Sequence, residues 1–273
     1  MAILSIAVLD RAVDITCADD EVRALVLPSY GHMQRRPTAP DLGYAIDRGA
    51  GSHPFVLTRD GLESWSAEDG GELLLRLDND LTIQLQRLRP DLFFLHAAVV
   101  ASGDQALMLV APSGSGKSTT AWALVHHGFR YLSDELGPVD LDTLMVHPYP
   151  RALLLKDEPP HAYPLPETTL HTSRGLHVPT AALPHGVSAA PLPLAAVFFL
   201  SHRLDAEQPS VRRVGGAEAG ARLYANALNP LAHPREGLEA AIRIATHSTC
   251  FELCTADLTA TCGLVRATLE GSI

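Results

Sequence analysis

The stretch "ALMLVAPSGSGKSTTAWALVHHG", Ala106 to Gly128, decides how this chain folds. It opens on an uninterrupted apolar run of the length of a buried strand. "APSGSGKST" (111–119) then matches the phosphate-loop pattern G-x-x-x-x-G-K-[ST] at every position but the first, where Ala111 stands. The physics of such a loop is complete without that glycine. Gly114 and Gly116 let the backbone around Ser113 and Ser115 turn its N–H groups toward phosphate oxygens, and a helix beginning near Lys117 adds its positive end. Lys117 bridges the terminal phosphates, Ser118 offers a hydroxyl to Mg²⁺, and Thr119 supports the nucleotide. "KSTTAWALVHHG" continues as a helix with Ala121, Leu124 and Val125 facing inward and Gly128 at the C′ position.

Working outward, "LFFLHAAVVA" (92–101) is a nearly continuous apolar strand carrying one histidine, His96. A polar turn, Ser102-Gly103-Asp104-Gln105, joins it to the strand that feeds the loop, so the two strands run antiparallel. On the other side "FRYLSDELGPVDL" is strand-like and places Asp134 and Glu135 seventeen and eighteen positions after Lys117. One helix, one tight return and one strand fit in that interval, which carries the acids to a strand end beside the loop. Acids so placed suit phosphoryl transfer to a hydroxyl: one carboxylate takes or orients the proton and the other helps hold Mg²⁺.

The rest of the chain predicts further α/β structure. "LAAVFFL" and "CFELCTA" read as strands, "PREGLEAAIRIATH" as a helix with Pro234 near its start, and "DLTATCGLVRATL" as a helix capped by Asp257. Pro159 to Pro193 is rich in Pro, His, Thr and Ser and predicts a long excursion of little regular structure, a candidate for substrate docking. The first ninety residues read mostly as strands with one helix, in which Val22, Leu25 and Val26 share a face before Pro28 stops or bends it. In "GELLLRLDNDLTIQLQRL" the alternation of Leu73, Leu75 and Leu77, and again of Leu81, Ile83 and Leu85, about Asp78-Asn79-Asp80 predicts a hairpin.

Composition bounds what such a chain does. With 273 residues, 47% of them hydrophobic, it can bury a sizeable core. A formal net charge of −10, spread along the chain, argues against nucleic acid as the main ligand and requires an anionic nucleotide to be held locally. The N-terminus lacks a basic region and a cleavage signal, and no uncharged run approaches the ~18 residues of a membrane helix, so a cytoplasmic protein without membrane contact is expected. Cys17, Cys250, Cys254 and Cys262 lack zinc-site spacing and read as buried free thiols; the thirteen histidines form no evident metal cluster.

The order of His96 in a hairpin strand, then "APSGSGKST", then "YLSDE" resembles the catalytic domain of HPr kinase/phosphorylase and the HPr-kinase-like serine kinases, which share a core with phosphoenolpyruvate carboxykinase. It is similar also to the HPr-kinase-related proteins found with peptide-modification gene sets, where "LHAAVV" and "HPYPRALLLK" have counterparts. The likeness spans roughly Leu92 to Lys156. It implies an α/β fold with a mixed-sheet P-loop kinase core over 91–273 and a small mainly-β unit over 1–90. It further implies that His96 lies near the transferred phosphate, that Asp134 is the general base and that Glu135 helps bind Mg²⁺, although the family pattern has two aspartates there. Arg151 and Lys156 are candidates for clamping the γ-phosphate or an acidic acceptor. Neither the long N-terminal domain of the bacterial enzymes nor the segment that supports their reverse reaction has a match here, so phosphorolysis is not expected.

The expectation is therefore an ATP-dependent kinase, with GTP as the alternative donor, that phosphorylates a Ser or Thr hydroxyl of a peptide or small protein. A small-molecule kinase is the next reading, although such enzymes normally carry the loop after their first strand, whereas here it follows about 110 residues and a hairpin. A non-catalytic nucleotide-sensing partner protein is the third. Relatives of this kind are often homo-oligomers, and the sequence sets no subunit number.

Overall fold

The structure is a computed structural model that describes residues 1–202 and 207–271. The chain divides into two compact units, one formed by Met1–Arg89 with Pro150–Leu183 and the other by Pro90–Tyr149 with Pro184–Ile273. Strands β1 (Ala2–Val8), β2 (Arg11–Cys17), β3 (Leu42–Ala50), β4 (His53–Arg59) and β5 (Glu63–Ala67) lie side by side in that order in the first unit. Their pairings are antiparallel except β2 with β3. Leu4, Ile6 and Val8 on β1 and Val13, Ile15 and Cys17 on β2 alternate inward and are buried, the period of two expected of a sheet with one covered face.

Helices α1 (Asp20–Tyr30) and α2 (Gly70–Leu88) cover that sheet. The side chain of Asp19 accepts from Val22 N–H to start α1, and the helix runs through Pro28 to Tyr30 instead of stopping there. The hairpin expected over 73–85 is absent: α2 is a single helix of 19 residues. Leu73, Leu74, Leu77, Leu81 and Leu85 are buried, a stripe of helical period, while Leu75 and Ile83 are exposed. Asp69 accepts from Glu72 N–H at 2.8 Å as the N-cap, and the Glu72 carboxylate reaches back past it to accept from Glu68 N–H at 2.8 Å, which ties the chain to the start of the helix. The acids that resembled a turn are satisfied by tertiary partners. Asp78 accepts from the Tyr30 hydroxyl and pairs with Arg151, while Asp80 accepts from the Tyr44 hydroxyl and pairs with Arg59.

In the second unit β6 (Leu92–Ser102) and β7 (Gln105–Val110) form the predicted hairpin, closed at Ser102 opposite Gln105. Helix α3 (Lys117–His126) follows, with Gly128 left-handed at φ 94° just past its end. The strand-like run after it is two strands, β8 (Arg130–Ser133) and β9 (Leu136–Asp140), both antiparallel to β6, and β10 (Met145–Val146) pairs with β9.

The chain then returns to the first unit with β11 (Leu153–Leu155), β12 (Leu170–Thr172) and β13 (Gly175–Val178), a three-stranded sheet in the order β11-β13-β12. The second unit is therefore not continuous over 91–273, because 150–183 packs with the N-terminal part. Two close approaches fix the return. A methyl group on Gly71 would stand 3.1 Å from the backbone nitrogens of Ser173 and Arg174, and Ala152 N–H donates to Ser29 O at 3.0 Å. Within the excursion Glu158, His161, Tyr163, Glu167 and His171 surround a cavity of about 360 Å³.

The second unit is completed by β14 (Leu192–His202), β15 (Ser210–Arg213), α4 (Gly216–Ala225), α5 (Leu238–His247), β16 (Thr249–Thr255) and α6 (Leu258–Leu269). Of these β15 and α4 had no expectation from sequence. The sheet runs β10-β9-β6-β7-β14-β16-β15, with β7, β14 and β16 mutually parallel, and pairing of β10 with β14 joins the first five strands into a ring. The fold is α/β with mixed sheets. Phe93, Leu95, Ala97, Val99, Met108 and Val110 face one core, shared with Ala219 and Leu223 of α4 and with Ala241 and Ile244 of α5. Helix α3 packs against β6 and β7 and against α6.

Candidate functional site

The loop between β7 and α3 has the backbone that its glycines imply. Gly114 (φ 83°) and Gly116 (φ 82°) are left-handed, whereas Ala111 lies outside that region, so a side chain costs nothing there. Ala111 is buried at the end of β7. Ser115 N–H donates to Pro112 O at 3.3 Å, and Thr120 N–H donates to Gly116 O at 2.8 Å to open α3. Ser113 is exposed, and Ser118 and Thr119 are half-buried in the first turn. The Lys117 ammonium is folded back on its own loop, donating to Ala111 O at 2.7 Å and Pro112 O at 3.3 Å, and the residue is 6% exposed.

Strand geometry brings the acid pair near. β7 and β8 are both antiparallel to β6, so they run in the same direction and their C-terminal ends lie at the same edge of the sheet. Ala97 of β6 is opposite Val110 on one side, and its N–H donates to Glu135 O at 3.4 Å on the other. The chain at Glu135 and the end of β7 are thus two strand spacings apart, about 10 Å. Leu136 N–H donates to Ser133 Oγ at 3.2 Å and pins the bend that carries Asp134 and Glu135. The His96 ring meets Glu135, Nε2 to Oε2, at 3.1 Å, with both side chains partly exposed. Asp134 has no exposed surface at all.

On the opposite flank of β7 a cavity of about 220 Å³ opens between the loop at Gly114–Gly116, Thr119, and the residues His202, Thr255 and Leu258. His202 ends β14 and Thr255 ends β16, the C-terminal ends of strands parallel to β7, where open α/β sheets collect ligands, and Leu258 begins α6. Sequence reading missed His202 because it stopped β14 at Leu200, and it placed Thr255 and Leu258 in a strand and a helix without a role; the parallel-strand rule would have pointed to the strand ends once the order β7-β14-β16 was known.

Arg151 is 2% exposed in the first unit, its Nη1 2.9 Å from Asp78 Oδ2. Lys156 is exposed just past β11 in the same unit. Cys17, Cys250 and Cys262 are buried, and burial pushes the Cys262 thiol up to about 12; Cys254 is half-buried.

The donor set fits a nucleotide phosphate: two left-handed glycines and the N-terminus of α3 lie together, with hydroxyls at Ser118 and Thr119 beside them and the Lys117 ammonium resting on carbonyls of the same loop. Among the described residues no group of three or more His, Cys, Asp or Glu side chains is placed to hold a metal ion. No helix among the described residues is long and apolar enough to cross a membrane.

No family model and no curated protein matches the chain. Among solved structures, the HPr(Ser) kinase/phosphatase from Coxiella burnetii is similar at a TM-score of 0.32 and 12% identity, over 66% of this chain and 97% of that one. A likeness of that size is a distant one of fold and says nothing of substrate or residue roles.

Proposed function

We propose that the chain is a nucleotide-dependent phosphotransferase that moves the γ-phosphate of ATP to a Ser or Thr hydroxyl of a peptide or small protein. The observation that carries this reading is the pairing of a glycine phosphate loop at the end of β7 with two acids at the same sheet edge, about 10 Å away across β6. Lys117 leaves its backbone carbonyls for the β- and γ-phosphates. Ser118 and Glu135 would hold Mg²⁺, which would supply neutralisation of phosphate charge. His96, already hydrogen-bonded to Glu135, sets that carboxylate's orientation. Asp134 takes the proton of the acceptor hydroxyl, which requires the bend between β8 and β9 to open when nucleotide binds.

Incubation of the pure protein with labelled ATP, Mg²⁺ and candidate peptides tests the reading. Transfer is expected, abolished in Lys117→Ala and reduced at least a hundredfold in Asp134→Asn with nucleotide affinity retained. The complete burial of Asp134 favours a second reading, in which the loop binds nucleotide without transfer. Tight binding with no labelled product from any peptide decides for that alternative.

A further inference from the structure

The strand order gives the site a direction. From the acid pair to the far flank it runs β8, β6, β7, β14, β16, four strand spacings or about 19 Å, with the glycine loop at its middle. If phosphoryl transfer takes place at the acid end, an inference that rests on the reading above, the reacting phosphate points toward β8 and the remainder of the nucleotide extends the other way. There the cavity beside Thr119 is walled by His202, Thr255 and Leu258.

Hydrogen bonding assigns the chemistry of that wall. Thr255 Oγ donates to Ser201 O at 3.3 Å, which uses its single proton. The contact of His202 Nδ1 with Thr255 Oγ at 3.2 Å is then Nδ1–H donating to the hydroxyl oxygen. In the neutral ring this leaves Nε2 as an acceptor on an exposed side chain lining the cavity, beside the half-buried Leu258 as an apolar face. Such a surface accepts from a hydroxyl or an amine and repels a phosphate oxygen, which has no proton to give.

We propose that His202, Thr255 and Leu258 form the nucleoside end of the site, with His202 accepting a hydrogen bond through Nε2 from the ribose hydroxyls or from a base amine. Calorimetric titration of the full chain with MgATP and with Mg-tripolyphosphate separates nucleoside from phosphate contacts. His202→Ala is expected to weaken MgATP about tenfold and leave tripolyphosphate within twofold, while His202→Gln, which keeps an acceptor, retains most of the ATP affinity. The partner group is read from two further ligands. Loss with 2′,3′-dideoxy-ATP marks the ribose, and loss with the 6-keto nucleotide ITP marks the base amine. Equal weakening of ATP and tripolyphosphate in His202→Ala, or no change in either, overturns the assignment while leaving the phosphate loop intact. Failure of the wild-type chain to bind tripolyphosphate or ATP overturns the loop reading and this assignment together.

Discussion

At the scale of single residues, the loop's tolerance of Ala111 and its need for Gly114 and Gly116 have one cause, the sign of φ. Ala111→Gly should leave binding unchanged. Gly116→Ala should cost about 1 kcal/mol in strain at φ 82°, with open space where the methyl would go, and weaken tripolyphosphate binding by titration. The motif was legible because its requirements are local. A second residue was not legible at all: His177, 3% exposed in the first unit, is pushed down to about 4 by burial, with the Arg151 charge adding to it. Its ordinary value is 6.5, so as pH falls from about 6.5 to about 4 the unfolded chain takes up a proton that the folded one refuses, and stability is lost. The loss approaches about 3 kcal/mol below that window, and His177→Gln should flatten this part of a urea-denaturation pH profile. Nothing near His177 in sequence announces Arg151 as its neighbour in space.

At the scale of elements, α2 shows how a pattern misleads. Leucines at 73, 77, 81 and 85 satisfy a period of two as well as a helical one, Leu75 fits only the period of two, and three polar residues at 78–80 resemble a turn. The deciding signals are Leu74, which only the helix buries, and the Asp69-x-x-Glu72 cap. Leu77→Ala should therefore cost about 2 to 5 kcal/mol by chemical denaturation, against less than about 1 for Leu75→Ala, and Asp69→Ala about 1. Comparable losses at 75 and 77 would contradict the helix. By contrast β6, β7, α3, β16 and α6 followed their sequence expectations, since each has one dominant period and an unambiguous turn or cap.

At the scale of the whole molecule, nucleotide should stabilise the unit that holds the loop. At a hundredfold excess over Kd the gain is about 2.7 kcal/mol, and hydrogen exchange should slow in β7 and α3 on adding MgATP more than in α2 of the other unit. Equal slowing in both would mean that the ligand acts elsewhere or globally. The sequence by itself determined the glycine loop, the hairpin that feeds it and the presence of acids soon after it, because turn chemistry and side-chain period act over neighbouring residues. Only the tertiary structure decided that Arg151 seals an ion pair with Asp78 inside the first unit, that Asp134 is enclosed while Glu135 meets His96, and that His202 and Thr255 flank the loop. The last two placements depend on which strands lie side by side in a mixed sheet, and that order comes from pairing between strands as far apart in sequence as Val110 of β7 and Phe199 of β14, which no local pattern encodes.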